Sequence, residues 1–287
     1  MPFTVNDLVA LFDLEPIELN IYRGQNRNIG TGRLFGGQVL AQALVAAQRT
    51  VDDDRPVHSM HGYFILAGDL AVPVDYFVDR LRDGGSFTTR RVTAIQNGNA
   101  IFELSASFHR REEGLEHQAE MPDVPDPETL PSELDVLRAR AQEIPEALRS
   151  ILTQDRPLDF RLIDDPDPFD ASPRLPRRRF WVKAVGSMRD RALEHQAVLA
   201  YASDYGLLGS ALNPHGVSYR DPRLMVASLD HSIWFHRPFR MDDWLLYVAE
   251  SPVSAWGRGF ARGTFFTRGG VLVASTAQEG LVRVRSR

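Results

Sequence analysis

The sequence predicts an α+β fold built from two copies of one unit, each a helix packed on an antiparallel sheet. Three observations carry this prediction. The segments RRVTAIQNGNAIFELSASF, ending at Phe108, and FARGTFFTRGGVLVASTAQ, ending at Gln278, both read as two strands joined by a short turn, and they stand 170 residues apart. The same offset sets HSMHGYF, from His58, over SLDHSIWF, from Ser228. Between the halves, ten of the 18 prolines fall from Pro122 to Pro176. Each proline fixes φ and removes a donor, so this stretch cannot hold a central strand or a long helix.

Taken in order, the first unit has a helix around VLAQALV from Val39, then strand signals at about 60–67, 74–83, 87–97 and 100–109. Asn97-Gly98 supplies the turn of its last hairpin. The proline-rich middle is a connector in which Ser132 through Ala141 form a short helix, with Pro131 and Ser132 at its start. In the second unit apolar or small residues recur at Leu193, Ala197, Ala200, Tyr201 and Leu208, a helical spacing. Strand signals follow at about 226–236, 243–251, 257–268 and 271–284. The helices VLAQALV and VLAYASD (from Val198) match at an offset of 159, which leaves a longer helix-to-strand loop in the second unit. The expected organisation is therefore a first repeat at 1–115, a proline-rich linker at 116–176 and a second repeat at 177–287.

Composition narrows the function. The chain has 287 residues, a net charge of −5, 43% hydrophobic and 25% charged residues, which is ordinary for a globular protein with real cores. The absence of Cys excludes disulfides, a thiolate nucleophile and Cys-ligated zinc. Net acidity argues against a broad nucleic-acid surface. No apolar run reaches the length that crosses a bilayer. The N-terminus lacks the pattern of a signal peptide, and Ser286-Arg287 is not a peroxisomal address. The chain reads as soluble and cytoplasmic. Lys183 is the single lysine; the other 32 basic residues are arginines, which suit phosphate recognition.

Asp204 is the first candidate for chemistry. It falls on the apolar stripe of its helix, where a carboxylate must be held by partners; alternatively the helix ends near Ser203 and Asp204 opens a loop. The repeats differ at such positions. Opposite Asp204, Gln278 and Ser228 in the second half stand Val45, Phe108 and His58 in the first, as expected if one copy is active and the other is scaffold. In the last strand Gln278 and Glu279 point to opposite faces, and parity alone leaves open which one faces a site. A Gln can orient water, whereas a Glu can exchange protons. The pairs His231/His236 and His58/His61 lack zinc spacing. GTGRLFGGQ is neither a P-loop nor a Rossmann fingerprint, and Gly36 and Gly37 suit close packing at a helix start, with N–H groups free for an anion. There is no GxSxG elbow.

Seven blocks then carry a resemblance: RLFGGQVLAQAL (33–44), HSMHGYF (58–64), LRDGGSF (81–87), RRVTAIQNGNAIF (90–102), SDYGLLGSALNPHG (203–216), SLDHSIWFHRPFR (228–240) and LVASTAQEG (272–280). Together they resemble the TesB-type acyl-CoA thioesterase II family over nearly the full length. The resemblance implies a double hotdog fold, with two fused helix-plus-sheet repeats. It implies hydrolysis of fatty acyl-CoA, of medium to long chain, without metal, other cofactor or covalent acyl-enzyme, and assembly as a homodimer or homotetramer. In such enzymes an Asp, a Ser or Thr, and a Gln hold the attacking water. The matching residues here are Asp204, Ser228 and Gln278, so the resemblance favours Gln278 over Glu279. Relatives often have Thr at the Ser228 position. Tyr205-Gly206 departs from the bulkier residues common in the family. CoA phosphates would fall to arginines such as Arg177, Arg178 and Arg179, or Arg258 and Arg262. Two alternatives stay open: a hotdog hydratase or dehydratase, for which the nearest downstream His is His215, and a non-catalytic acyl-CoA binder.

Overall fold

The computed structural model describes residues 3–285 except 31, 165–166, 168–169, 171, 218–220 and 222. Ser286 and Arg287 lie outside the described residues. The chain opens with α1 (Val5–Leu11), capped by Thr4, and the hairpin β1 (Glu15–Glu18) and β2 (Ile21–Gly24). Then follow α2 (Gly36–Gln48), β3 (Val57–Phe64), β4 (Val74–Asp83), β5 (Phe87–Gln96) and β6 (Asn99–His109). The proline-rich region carries α3 (Glu133–Ala139), α4 (Glu146–Leu152) and β7 (Leu158–Leu162), and β8 (Arg177–Ala184) comes next. The second half continues with α5 (Ala192–Ser203), the one-turn α6 (Gly209–Leu212), β9 (Leu224–Ser228), β10 (Asp230–Phe235), β11 (Leu245–Ala255), β12 (Arg258–Thr267) and β13 (Leu272–Val284).

All strand pairs are antiparallel, and the strands form one 13-stranded sheet in the order β1-β2-β4-β5-β6-β3-β10-β13-β12-β11-β8-β7, with β9 beside β13. The order is a mirror about the β3–β10 seam, where Ile233 pairs with Met60. Each half is therefore two strands, a helix and then a run of strands. The leading hairpins differ from the sequence expectation, which began each unit at its helix. Strand β7 lies inside the stretch read as connector. Its prolines do not forbid this, because β7 is the last strand of the sheet and Pro157 precedes it.

The core lies between the sheet and the two long helices, which pack on each other. Helix α2 is buried from Gly37 to Ala47, on every side. Its small residues, Gly37, Ala41, Ala43, Ala46 and Ala47, allow this, and full burial of a side chain such as Leu40 or Leu44 contributes about 1.5–3 kcal/mol. Two glutamines on α2 are also buried, and both are satisfied. Gln38 Nε2 donates to the Gln25 carbonyl at 3.2 Å, while Gln42 Nε2 donates to the Leu11 carbonyl at 2.7 Å and Gln42 Oε1 accepts from the Tyr76 hydroxyl at 2.7 Å. The start of α2 meets the end of α5, where a Cβ on Gly37 would stand 2.5 Å from the Tyr201 carbonyl oxygen. Gly37 thus permits a helix contact that a larger residue would block. Asn97 and Gly98 both have positive φ (50° and 77°) in the turn between β5 and β6, as that dipeptide predicts.

Candidate active site

Helix α5 ends at Ser203, and Asp204 is its C-cap residue, at φ −78° and ψ −10°. The helix stops because Gly206 takes a left-handed φ of 76°. The apolar spacing that ran on to Leu208 therefore spans a turn and the start of α6. Asp204 opens a loop, yet its side chain is only 6% exposed.

Ser228 is the last residue of β9. It is aimed by an irregularity in the strand. Gly280 pairs with Ser228 and Ala277 with Ser232, so four steps on one strand face three on the other. The extra residue is a β-bulge around Leu229, held by the Leu229 N–H on the Glu279 carbonyl at 2.9 Å and the Glu279 N–H on Asp230 Oδ1 at 2.6 Å. Bulges re-aim side chains in this way beside functional sites.

Gln278 faces inward and is 1% exposed. Its Nε2 donates to Asp204 Oδ1 at 2.7 Å and to Ser228 Oγ at 2.9 Å, and Ser228 Oγ donates to Asp204 Oδ1 at 3.4 Å. Three residues from a helix end, a strand end and a strand middle thus converge on one triangle. Gln278 Oε1 is buried and has no hydrogen-bond partner among the described residues, which leaves an acceptor next to the Asp204 carboxylate. Glu279 points the other way and forms an exposed ion pair with Arg258 at 2.9 Å. The parity question is answered: Gln278 lies inside and Glu279 outside.

The site straddles the two repeats. A Cβ on Gly36 would stand 2.8 Å from Asp204 Oδ2 and 2.9 Å from the Phe64 ring. The Phe64 N–H donates to the Leu229 carbonyl at 2.9 Å, tying the first repeat to the bulge. Gly36 and Gly37 open α2 with no side-chain cap, and their N–H groups make no hydrogen bond to a described residue. A helix start of this kind is a concentration of partial positive charge.

One neighbour of the site was not singled out for it by sequence. His231 is fully buried, with Nε2 2.9 Å from Ser203 Oγ and Nδ1 3.9 Å from Asp204 Oδ1. Burial pulls its pKa down to about 4, against the opposing pull of Asp204. A signal existed: His231, Ile233 and Phe235 alternate on one face of β10, and two of them are apolar.

The corresponding space in the first repeat is built differently. Phe108, opposite Gln278 in the repeat alignment, is buried and pairs with Thr88, whose hydroxyl accepts from Arg55 Nη1 at 2.6 Å. Arg90, 1% exposed, donates to Thr50 Oγ1 at 2.7 Å, to the Thr50 carbonyl at 2.9 Å and to Asp83 at 2.5 Å. His58 lies away from the triangle, bonded to Ser107 Oγ at 2.8 Å and set against Phe87 and His109.

Two family models match the chain: "Acyl-CoA thioesterase N-terminal domain" over residues 25–109 and "Acyl-CoA thioesterase" over 157–281. Acyl-CoA thioesterase 2 of Haemophilus influenzae is 41% identical, covering 97% of this chain and 98% of its own length. The chain belongs to the acyl-CoA thioesterase family. The crystal structure of acyl-CoA thioesterase II TesB2 from Mycobacterium marinum aligns at a TM-score of 0.77 with 41% identity, covering 96% of this chain and 98% of that one. A protein from Alicyclobacillus acidocaldarius described as having a hot dog fold aligns at 0.75 with 19% identity, over 96% and 97% of the two chains, and speaks to the fold alone. The double hotdog expected from the sequence is the fold of this thioesterase family member.

The arginines considered for CoA phosphates divide sharply. Arg177 and Arg179 both grip Asp164, at 3.1 and 2.7 Å. Burial pushes the Asp164 carboxyl up, but the two guanidiniums outweigh it and hold it below the usual carboxylate range. Arg258 pairs with Glu279 and Arg262 with Glu250. Arg178, on the opposite face of β8, has no carboxylate partner among the described residues and lies against Gly206 and Gly209. Among the described residues no helix is long and apolar enough to cross a membrane, and no group of three His, Asp or Glu is placed to hold a metal ion.

Proposed function

We propose that this family member hydrolyses fatty acyl-CoA to free fatty acid and CoA by direct attack of a water held by Asp204, Ser228 and Gln278. The observation that carries the reading is the double donation from Gln278 Nε2 to Asp204 Oδ1 and Ser228 Oγ. It fixes the amide orientation and leaves Oε1, which has no partner among the described residues, as the open acceptor of the same side chain. A water there donates one proton to Asp204 and the other to Gln278 Oε1, which leaves an oxygen lone pair for the thioester carbon. Asp204 acts as the general base. As the tetrahedral intermediate forms, the Gly36 and Gly37 N–H groups are the donors for its oxyanion. The C–S bond then breaks, and the proton on Asp204 goes to the departing CoA thiolate. Ser228, a donor to Asp204 and an acceptor from Gln278, locks the geometry of both.

The hydratase alternative needs a His that reaches substrate beside the Asp. His215 is exposed in the turn after α6, and His231, although near Asp204, is fully buried. Both placements favour hydrolysis. The reading includes medium to long acyl chains, Arg178 as the candidate for a CoA phosphate, a cytoplasmic location and assembly as a homodimer or homotetramer.

Free-thiol release from C4 to C18 acyl-CoAs, comparing the wild type with Asp204→Asn, tests this. Release by the wild type and a loss of at least about 100-fold in the variant, roughly 2.7 kcal/mol, are expected, and the panel reports chain length. Equal activity of the two proteins would remove Asp204 from the mechanism. Binding without thiol release would favour a non-catalytic binder. Light scattering reads the oligomeric state, and cell fractionation the location.

A further inference from the structure

The residue after Asp204 is gripped by the region between the repeats. Tyr205 donates its hydroxyl to Glu133 Oε2 at 2.6 Å, and Arg156 Nη1 donates to the same oxygen at 2.8 Å. The Tyr205 ring stacks on Phe160 at 4.1 Å and 27° and meets Phe180 edge-on at 6.4 Å. Glu133 opens α3, Arg156 follows α4 and Phe160 sits in β7. Glu133 and Arg156 belong to the segment between the two halves, and Phe160 to the leading strand of the second. The Glu133 side chain is 7% exposed and that of Arg156 19%. Arg156 is fixed in turn by its Nη2 on the Leu152 carbonyl at 2.9 Å.

A nearly buried ion pair of this kind is a poor source of stability, because desolvating the two charges offsets most of their attraction. What it does supply is direction, since both partners of Glu133 Oε2 are held at fixed angles. On the other side of the loop, the left-handed Gly206 rests on the Arg178 guanidinium, where a Cβ would stand 3.1 Å from it. The backbone that presents Asp204 is therefore bounded by α5 before it and by a clamped tyrosine directly after it.

We infer that Glu133 and Tyr205 are positioning residues of the active site: the inter-repeat segment sets, through the Glu133–Tyr205 hydrogen bond, the backbone that aims the Asp204 carboxylate. This rests on the proposed role of Asp204. A base must be held to within a fraction of an ångström, and small misplacements cost rate rather than binding. Glu133 and Tyr205 thus affect kcat more than KM.

The test is thiol release from an acyl-CoA by the wild type, Tyr205→Phe, Glu133→Gln and the double variant, with thermal midpoints alongside. Tyr205→Phe is expected to lower kcat about 10-fold and Glu133→Gln, which keeps a neutral acceptor, by less, each with KM within about twofold. The double variant is expected to be no worse than Tyr205→Phe, because that change already removes the hydrogen bond that Glu133→Gln weakens by making its acceptor neutral. Lowered midpoints with unchanged kcat would overturn the inference and leave a purely structural contact. A raised KM at constant kcat would overturn it too, making Tyr205 a pocket wall. Should Glu133→Gln fail to fold, Tyr205→Phe, which keeps the ring stack and the ion pair, decides alone. If the wild type releases no thiol, the function proposed above fails. Amide exchange at residues 204–208 in Tyr205→Phe then judges the clamp: faster exchange supports it and unchanged exchange refutes it.

Discussion

No side chain separates Gly36 from Asp204: a methyl group at position 36 would stand 2.8 Å from the carboxylate oxygen Oδ2. The first residue of a helix in one repeat thus forms part of the wall around the acid of the other. Gly36→Ala tests this contact with little confusion from folding, since replacing Gly by Ala in a helix ordinarily favours the helix by up to about 1 kcal/mol. The expected result is a loss of thiol release of about 10-fold or more with an unchanged circular dichroism spectrum. Full activity would show that Phe64 and Asp204 give way without consequence.

Gln278 and its neighbour should separate cleanly. Gln278→Ala removes the donor shared by Asp204 and Ser228, and a fall in kcat of about 10²–10³ is expected. Glu279→Gln alters only an exposed ion pair with Arg258, worth about 0–1 kcal/mol. Its kcat should stay within about twofold of wild type, and steady-state kinetics on one acyl-CoA compare the two variants directly.

His231 gives a pH dependence of stability with a definite sign. Its folded pKa of about 4 lies below the ordinary 6.5, so below about pH 6.5 the unfolded chain binds the proton first. Stability is therefore lost as pH falls from about 6.5 to 4, by up to about 3 kcal/mol from this residue. His58, His61, His195 and His236 are shifted the same way, chiefly by desolvation, and add to the slope. Urea unfolding at pH 7 and pH 5, for the wild type and His231→Asn, isolates the His231 part. The variant should lose less between the two pH values. Parallel losses would mean that His231 is charged in the fold.

Arg90 should matter for stability and little for rate. Arg90→Met leaves the buried Thr50 hydroxyl and carbonyl, and the partly buried carbonyls of Arg82 and Thr89, without this donor. A loss of about 2–4 kcal/mol is expected, read as a lower urea midpoint with unchanged m-value. Its kcat well below the melting temperature should be that of the wild type.

Much of this was legible in the residues. The strand at 74–83 lies where its alternation placed it, and the short helix expected after Pro131 starts with Ser132 at its N-cap position. The leading hairpins were not visible for physical reasons. Strand β1 is exposed at every position, so it has no hydrophobic alternation, and β7 follows a proline within an acidic, proline-rich stretch. The end of α5 stays between two readings in the sequence because apolar spacing continues through Leu208 across the Gly206 turn; the helix ends at Ser203. Gln278 and Glu279 could not be told apart by parity, since only the packing of β13 against the helices says which face is inside. The grip of Glu133 on Tyr205 joins residues 72 apart in sequence, and no local pattern encodes it.

The seam between β3 and β10 has a consequence for how this chain could ever be taken apart. Each of these strands completes the other's hydrogen bonding at the middle of the sheet. Cut between the repeats, either half would present a bare strand of main-chain donors and acceptors, a template for indiscriminate pairing with other chains. Genetic fusion gives each half a tethered partner from synthesis onward. It also frees the two copies to diverge, because a substitution in one is no longer repeated in the other.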